Sequence, residues 1–170
     1  MWRRRSIDGG ITWLAFSIPN GSWQDVAFGN GVFVAVSSFS NKIVRSLNKG
    51  QTWLSATEPE NNPWFGVAYS NGVFVAVANT GTNKIMRSID NGATWTAHNL
   101  SFGSPWGCVA GRGVFVVVGQ GTNITRSVDG GLTWISVSGA EANNWYRAAY
   151  GAGYFVAISN DGTNRVMRMV

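Results

Sequence analysis

Eight carboxylates, one histidine and one cysteine supply all the conventional acid–base, metal-ligating and thiol chemistry of this 170-residue chain. A retaining glycosidase needs two carboxyl groups about 5 Å apart, one of them kept protonated by its surroundings. Asp8, Asp90 and Asp129 recur in one repeated turn, which leaves Asp25, Glu58, Glu60, Glu141 and Asp161 as candidates. Tyr69, Tyr146, Tyr150 and Tyr154 fall at repeat-equivalent places, a pattern that favours packing over nucleophilic chemistry. His98 has no second histidine beside it, and Cys108 is alone in an apolar strand where a buried thiol is expected, so neither a zinc site nor a Cys–His pair is supported. No Gly-Lys-Ser/Thr phosphate loop occurs. The expectation is a chain with no catalytic residues, no metal and no cofactor.

The turn that holds three of the aspartates dominates the sequence. Arg5-Ser6-Ile7-Asp8-Gly9-Gly10-Ile11-Thr12-Trp13 returns as Arg45-Ser46-Leu47-Asn48-Lys49-Gly50-Gln51-Thr52-Trp53, as Arg87-Ser88-Ile89-Asp90-Asn91-Gly92-Ala93-Thr94-Trp95 and as Arg126-Ser127-Val128-Asp129-Gly130-Gly131-Leu132-Thr133-Trp134, at spacings of 40, 42 and 39 residues. An aspartate or asparagine accepts hydrogen bonds from the amides of its own turn, the glycine takes a conformation closed to other residues, and the tryptophan anchors the turn between sheets. Asn48 keeps the carbonyl acceptor without the charge, which fits a turn lock and argues against a catalytic acid or metal ligand at this place.

Between the turns, each period carries four short strand signals separated by glycine or asparagine, and no segment shows helical spacing. First strands open at Trp23, Trp64, Trp106 and Trp145; tight hairpins follow at Gly29-Asn30-Gly31, Asn71-Gly72, Arg112-Gly113 and Ala152-Gly153. The second strands (32–36, 73–77, 114–118, 154–158) are apolar on both faces and must be covered on both sides, as stacked sheets allow. The period predicts an all-β chain, a single β-propeller domain over 1–170 built of four repeats of about 40 residues. The boundaries fall at 1–20 (partial), 21–61, 62–103, 104–142 and 143–170 (partial).

Ser-x-Asp-x-Gly-x-Thr-Trp resembles the Asp-box, or BNR repeat, of sialidase-like β-propellers, and the resemblance covers essentially the whole chain. It implies the fold more than an activity, because Asp-boxes occur in hydrolases, in a photosystem assembly factor, in sorting receptors and in viral or phage fibres, where they sit on the rim away from the ligand face. The run Val26 to Val36 resembles repeats of phage tail and bacterial propeller proteins. The Arg-Ile-Pro opening of the sialidases and their Tyr/Glu pair are missing, so a degenerate or incomplete sialidase-like hydrolase is the alternative and a non-enzymatic binding or structural module is the expectation.

Net charge is +5, which predicts weak attraction to anionic surfaces but no specific nucleic-acid site, since no aromatic and basic stacking platform is present. Arg3, Arg4 and Arg5 are followed by a polar turn where a signal peptide needs an apolar core, and no apolar run is long enough to span a membrane as a helix. A virion or extracellular surface is compatible with this.

A propeller places the loops between repeats and the loops between second and third strands on one face. There Asn41, Asn83, Asn123 and Asn164 stand beside Trp23, Trp64, Trp106 and Trp145, the combination of amides and aromatic plates that sugar recognition uses. Packing anchors and ordinary turns are the competing account of the same residues. Asp25, Gly66, Cys108 and Arg147 are taken as equivalent inner-strand places that break the symmetry, with Asp25 and Arg147 as candidate ligand contacts or an axial pair. The expected partner is a glycan or a protein. Two closures are open: the Thr12–Ser17 strand completes the sheet of residues 145–170, or the chain is an arc completed by further sequence or by a homo-oligomer.

Overall fold

The computed structural model describes residues 2–39, 42–100 and 103–169; of residues 2–5 and of Asn123 only the backbone is described. Among the described residues all regular structure is β, in fifteen strands: β1 Trp2–Arg5, β2 Leu14–Ser17, β3 Trp23–Gly29, β4 Val32–Ser37, β5 Ile43–Ser46, β6 Leu54–Ser55, β7 Trp64–Ser70, β8 Val73–Ala78, β9 Ile85–Ser88, β10 Thr96–His98, β11 Pro105–Gly111, β12 Val114–Ser127, β13 Ile135–Gly151, β14 Tyr154–Ser159 and β15 Val166–Met169. Every strand pairing is antiparallel.

The sheets follow the sequence repeat as five units. Unit 1 is β1–β2, unit 2 is β3–β6 and unit 3 is β7–β10. Unit 4 (β11, β12 and the start of β13) and unit 5 (the rest of β13, β14 and β15) run into one five-stranded sheet, because β13 passes from the last strand of one to the first of the next. The inner strands of successive units lie side by side, and the apolar second strands between them form the core: Val34, Val36, Phe74, Val75, Val77 and Val117 are completely buried.

Each hairpin between first and second strands has two consecutive residues at positive φ, Asn30/Gly31, Asn71/Gly72, Arg112/Gly113 and Ala152/Gly153. This is the primed turn whose twist matches the strands it joins. The repeated turn closes as its residue types dictate. In unit 4 the Asp129 carboxylate accepts from the Thr133 amide at 3.0 and 3.1 Å, from Thr133 Oγ1 at 2.5 Å and from Ser127 Oγ at 2.7 Å, while Trp134 Nε1 donates to the Gly131 carbonyl at 3.1 Å. Asp8 and Asp90 are held alike. Asn48 keeps the geometry by accepting from the Thr52 amide and from Ser46 Oγ, and by donating through Nδ2 to Thr52 Oγ1. The threonine hydroxyl holds Asp8 and Asp129 below the usual carboxylate range, and at Asp90 the same bonds outweigh a burial that pushes the other way.

The strand Leu14–Ser17 pairs with β1, in the register Arg5↔Leu14, Arg4↔Ala15 and Arg3↔Phe16, and not with β15. Closure of the sheet of residues 145–170 by that strand is therefore not the observed pairing; β15 pairs with β14 alone among the described residues.

Candidate functional site

Each inner strand opens with a β-bulge, and the bulges correct the sequence frame of unit 4. Trp23 pairs with Ser37 and Asp25 with the next residue back, Val36; Trp64 with Ala78 and Gly66 with Val77; Pro105 with Gly119 and Gly107 with Val118; Trp145 with Ser159 and Arg147 with Ile158. The counterparts of Trp23 and Asp25 in unit 4 are therefore Pro105 and Gly107, not Trp106 and Cys108. One residue in each bulge has no ladder partner: Gln24, Phe65, Trp106 and Tyr146. Bulges re-aim side chains at sheet ends, and here they bring three aromatic rings into contact. The Phe65 and Trp106 centroids lie 5.1 Å apart nearly edge to face, and Trp106 and Tyr146 lie 5.3 Å apart with their planes tilted. All three are half-buried. Gln24 completes the row, its Nε2 donating to Ser22 and to Ser38 Oγ at 2.9 Å.

Inside this arc the inner strands approach closely. A Cβ on Gly66 would stand 2.7 Å from the Cys108 amide nitrogen, and one on Gly107 2.8 Å from the Tyr146 carbonyl. Asp25 bridges units 2 and 3: its carboxylate accepts from Val67 N–H at 3.0 Å and from Val26 N–H at 2.8 Å. Burial raises its pKa, against the pull of those amides and of Arg147. Arg147 bridges units 4, 5 and 2 through Nη1 to the Trp106 and Tyr146 carbonyls at 2.8 and 3.0 Å and through Nη2 to the Gln24 carbonyl at 3.5 Å. Three bulge carbonyls thus converge on one exposed guanidinium at the mouth, beside the aromatic arc.

The other predicted site residues have structural employment. Trp64 and Trp145 are completely buried and present no face to a ligand; Trp23 is half-buried with its Nε1 donating to the Pro19 carbonyl. Trp145 Nε1 donates to Glu141 O at 3.3 Å, whereas the buried Nε1 of Trp64 has no partner. Asn83 closes a loop lock: the Glu60 carboxylate accepts from the Asn83 amide, from Asn83 Nδ2 and from Asn62 Nδ2, which also donates to the Asn83 carbonyl at 2.8 Å. Glu141, Asn143 and Asn164 repeat the arrangement in unit 5. Asn41 and the side chain of Asn123 lie outside the described residues.

The carboxylates outside the repeated turn are likewise committed. Glu58 accepts from the Ile43 amide at 3.0 Å, and burial pushes its pKa up to about 7 against that bond and Lys42. Asp161 accepts from the Asn144 amide at 2.7 Å and from its side chain. Burial raises the Cys108 thiol far above its ordinary value. Among the described residues no group of three His, Cys, Asp or Glu side chains converges as a metal site would require, and no helix is long and apolar enough to cross a membrane.

The sequence frame hid the site because it counted from the tryptophan. The hairpin is the better ruler: six residues before Gly29, Ser70, Gly111 and Gly151 stand Trp23, Trp64, Pro105 and Trp145, and the residue after each is the bulge residue.

No family model and no curated protein matches the chain. Solved structures do. YCF48 from Cyanidioschyzon merolae superposes with a TM-score of 0.70 at 18% identity, over 99% of this chain and 56% of that one. YCF48 bound to D1 peptide gives 0.67 at 18%, over 95% and 51%. A streptogramin B lyase gives 0.70 at 18%, over 86% and 51%. The fold is β-propeller-like, and the chain spans about half the length of these three structures.

Proposed function

We propose that the chain is a non-enzymatic binding module of four Asp-box-type blades that takes a polypeptide segment at the mouth ringed by Gln24, Phe65, Trp106 and Tyr146. The arc of three contacting, half-buried rings carries this reading. Half-buried aromatics beside a fixed cation are the composition of a protein-binding hot spot: they offer large area at low entropic cost. Recognition of a glycan, including attachment by a phage or viral fibre, draws less support, because the loop amides it would use at Asn83 and Asn164 are engaged by Glu60 and Glu141. YCF48, similar in fold, has been solved with a peptide bound.

An enzyme, in the form of a degenerate or incomplete sialidase-like hydrolase, is the second reading, since an enzyme of another class, a streptogramin B lyase, shares the fold. It draws little support from carboxylates that each hold backbone or amide donors. Selection from a random peptide library on the purified chain, beside a glycan array, tests the proposal. Enriched peptides that lose at least about tenfold affinity on Trp106→Ala, equivalent to about 1.4 kcal/mol, support it. Glycan hits without peptide hits, or peptides indifferent to Trp106 and Tyr146, refute it.

A further inference from the structure

The repeated turns and the primed hairpins lie at one end of the sheets, because in an antiparallel sheet the first and third connections share an end. They are fastened into a continuous surface. Asn30 Nδ2 in the unit 2 hairpin donates to Asn91 Oδ1 in the unit 3 turn at 2.8 Å, the Gly113 amide of unit 4 donates to Ser70 Oγ of unit 3 at 3.1 Å, and Arg87 Nε of unit 3 donates to the Gly130 carbonyl in the unit 4 turn at 2.9 Å. The turns of units 1 and 2 border one groove through Ser6, Gly10, Lys49 and Gly50.

On this surface one place is aliphatic in every copy. The residue between the serine and the aspartate or asparagine is Ile7, Leu47, Ile89 or Val128, and these are 76, 56, 69 and 58% exposed. In unit 3 the turn is locked by Ser88, Asp90, Gly92, Thr94 and Trp95, and Ile89 takes no part. Turn chemistry therefore asks nothing of this side chain. Each aliphatic group stands apart from the next, and the tryptophans of the turns in units 2 to 4 are buried or half-buried between sheets.

Charge divides along the same axis. Among the residues whose side chains are described, six cations stand in or beside the turns and hairpins: Arg45, Lys49, Arg87, Arg112, Arg126 and Arg168. Only three carboxylates accompany them, Asp8, Asp90 and Asp129, each turned onto its own serine and threonine. The opposite end, which holds the mouth, has four cations against five carboxylates. The positive excess of these residues thus coincides with the exposed aliphatic places.

We infer that the turn end docks on an anionic lipid bilayer, with Leu47, Ile89 and Val128 entering the headgroup interface and the neighbouring arginines meeting lipid phosphates. A protein partner needs a contiguous apolar patch with aromatic anchors at its centre, whereas a fluid bilayer accepts isolated aliphatic side chains wherever they fall. Basic residues near an anionic leaflet add their attractions over a Debye length. Docked in this way, the chain turns its mouth away from the membrane.

Co-sedimentation of the full chain with vesicles of phosphatidylcholine, alone or mixed with phosphatidylserine, tests this at low and high salt. Binding to the mixed vesicles that weakens as salt rises is expected, with little binding to phosphatidylcholine alone. The triple variant Leu47→Ser, Ile89→Ser, Val128→Ser is expected to bind at least about tenfold more weakly, because it removes the inserted apolar area. Its melting temperature is expected to stay within about 2 °C, as for exposed positions generally. Arg112→Asn gives that hairpin the residue type of Asn30 and Asn71 and is expected to lose about fivefold, the effect of one basic residue at an anionic surface. Arg165→Asn removes the same charge from the opposite end and is expected to bind as the parent does. The inference is overturned if the chain ignores the mixed vesicles at low salt, which would leave a protein as the occupant of this surface. It is also overturned if the triple variant binds undiminished or melts several degrees lower, or if Arg165→Asn weakens binding as much as Arg112→Asn. No peptide enters these measurements, so their failure is distinguishable from failure of the reading of the mouth.

Discussion

Trp64 and Trp106 are adjacent in type and opposite in employment, and truncating each to alanine separates fold from recognition. Trp64 is completely buried among Val34, Val36, Val67, Phe74, Ala76 and Trp95. A buried tryptophan removes about 200 Å² from water, which at about 25 cal/mol/Å² is about 5 kcal/mol. The surroundings recover part of that by relaxing, and its unpartnered Nε1–H is a burial cost that disappears with the ring. A loss of about 4 kcal/mol is expected, inside the range seen for large-to-small changes in cores. With an unfolding entropy of about 2.1 cal/mol/K per residue over the chain, that is a fall in melting temperature of about 11 °C. Trp106→Ala removes a half-buried ring at a bulge with no ladder partner, and is expected to cost about 1 kcal/mol or less, about 3 °C, while abolishing binding of the selected peptides. Thermal melts by near-ultraviolet circular dichroism, followed by titration calorimetry of the folded variants, decide the matter. Equal melting shifts for the two variants, or peptide binding retained by Trp106→Ala, would refute the division of labour.

The turn lock predicts that Asp129→Asn changes stability by less than about 0.5 kcal/mol, since Asn48 already holds its turn in unit 2, whereas Asp129→Ala costs about 1–2 kcal/mol by leaving the Thr133 amide and hydroxyl without their acceptor; chemical denaturation measures both. Glu58, raised from 4.5 to about 7, binds its proton more tightly in the folded state than in the unfolded one. Its contribution to stability is therefore fully present below about pH 4.5 and lost as pH rises to about 7. Glu58→Gln is expected to flatten that part of the stability profile, and an unchanged slope would count against the raised pKa. Ala152 holds φ 50° in a hairpin where glycine or asparagine belongs, and Ala152→Gly is expected to raise stability by up to about 1 kcal/mol, measurable as a shift of the denaturation midpoint.

The parts of this fold that were legible in sequence are those fixed by local chemistry. The primed hairpins need positive φ at two consecutive residues, and the repeated turn needs an acceptor, a glycine and a threonine at set spacing. Both announce themselves within nine residues. The lock of Glu60, Asn62 and Asn83 spans more than twenty residues, so its asparagines looked available for a ligand when they were engaged in holding two loops together. The bulges were illegible for a related reason. A bulge is a relation between two strands, and the tryptophan that seemed to mark unit 4 is itself the residue that the bulge ejects from the ladder.

That ejection explains why the variable positions gather at the mouth. Residues in the ladder and the repeated turns answer to constraints that recur in every unit, so they vary little from copy to copy. Gly66 and Gly107 are constrained too, because a Cβ at either would meet the backbone of the next unit. Asp25 fits only by spending its carboxylate on the Val67 amide. Arg147 holds the place of Gly66 and Gly107 in unit 5, and its guanidinium reaches the Gln24 carbonyl of unit 2. The bulge residues have no ladder partner to satisfy, and the three aromatic ones meet one another beside Arg147. On the proposed binding reading, selectivity resides where the repeat relaxes its demands, in the bulge residues beside the Arg147 guanidinium, and a change that moves Arg147 relative to the aromatic arc alters it.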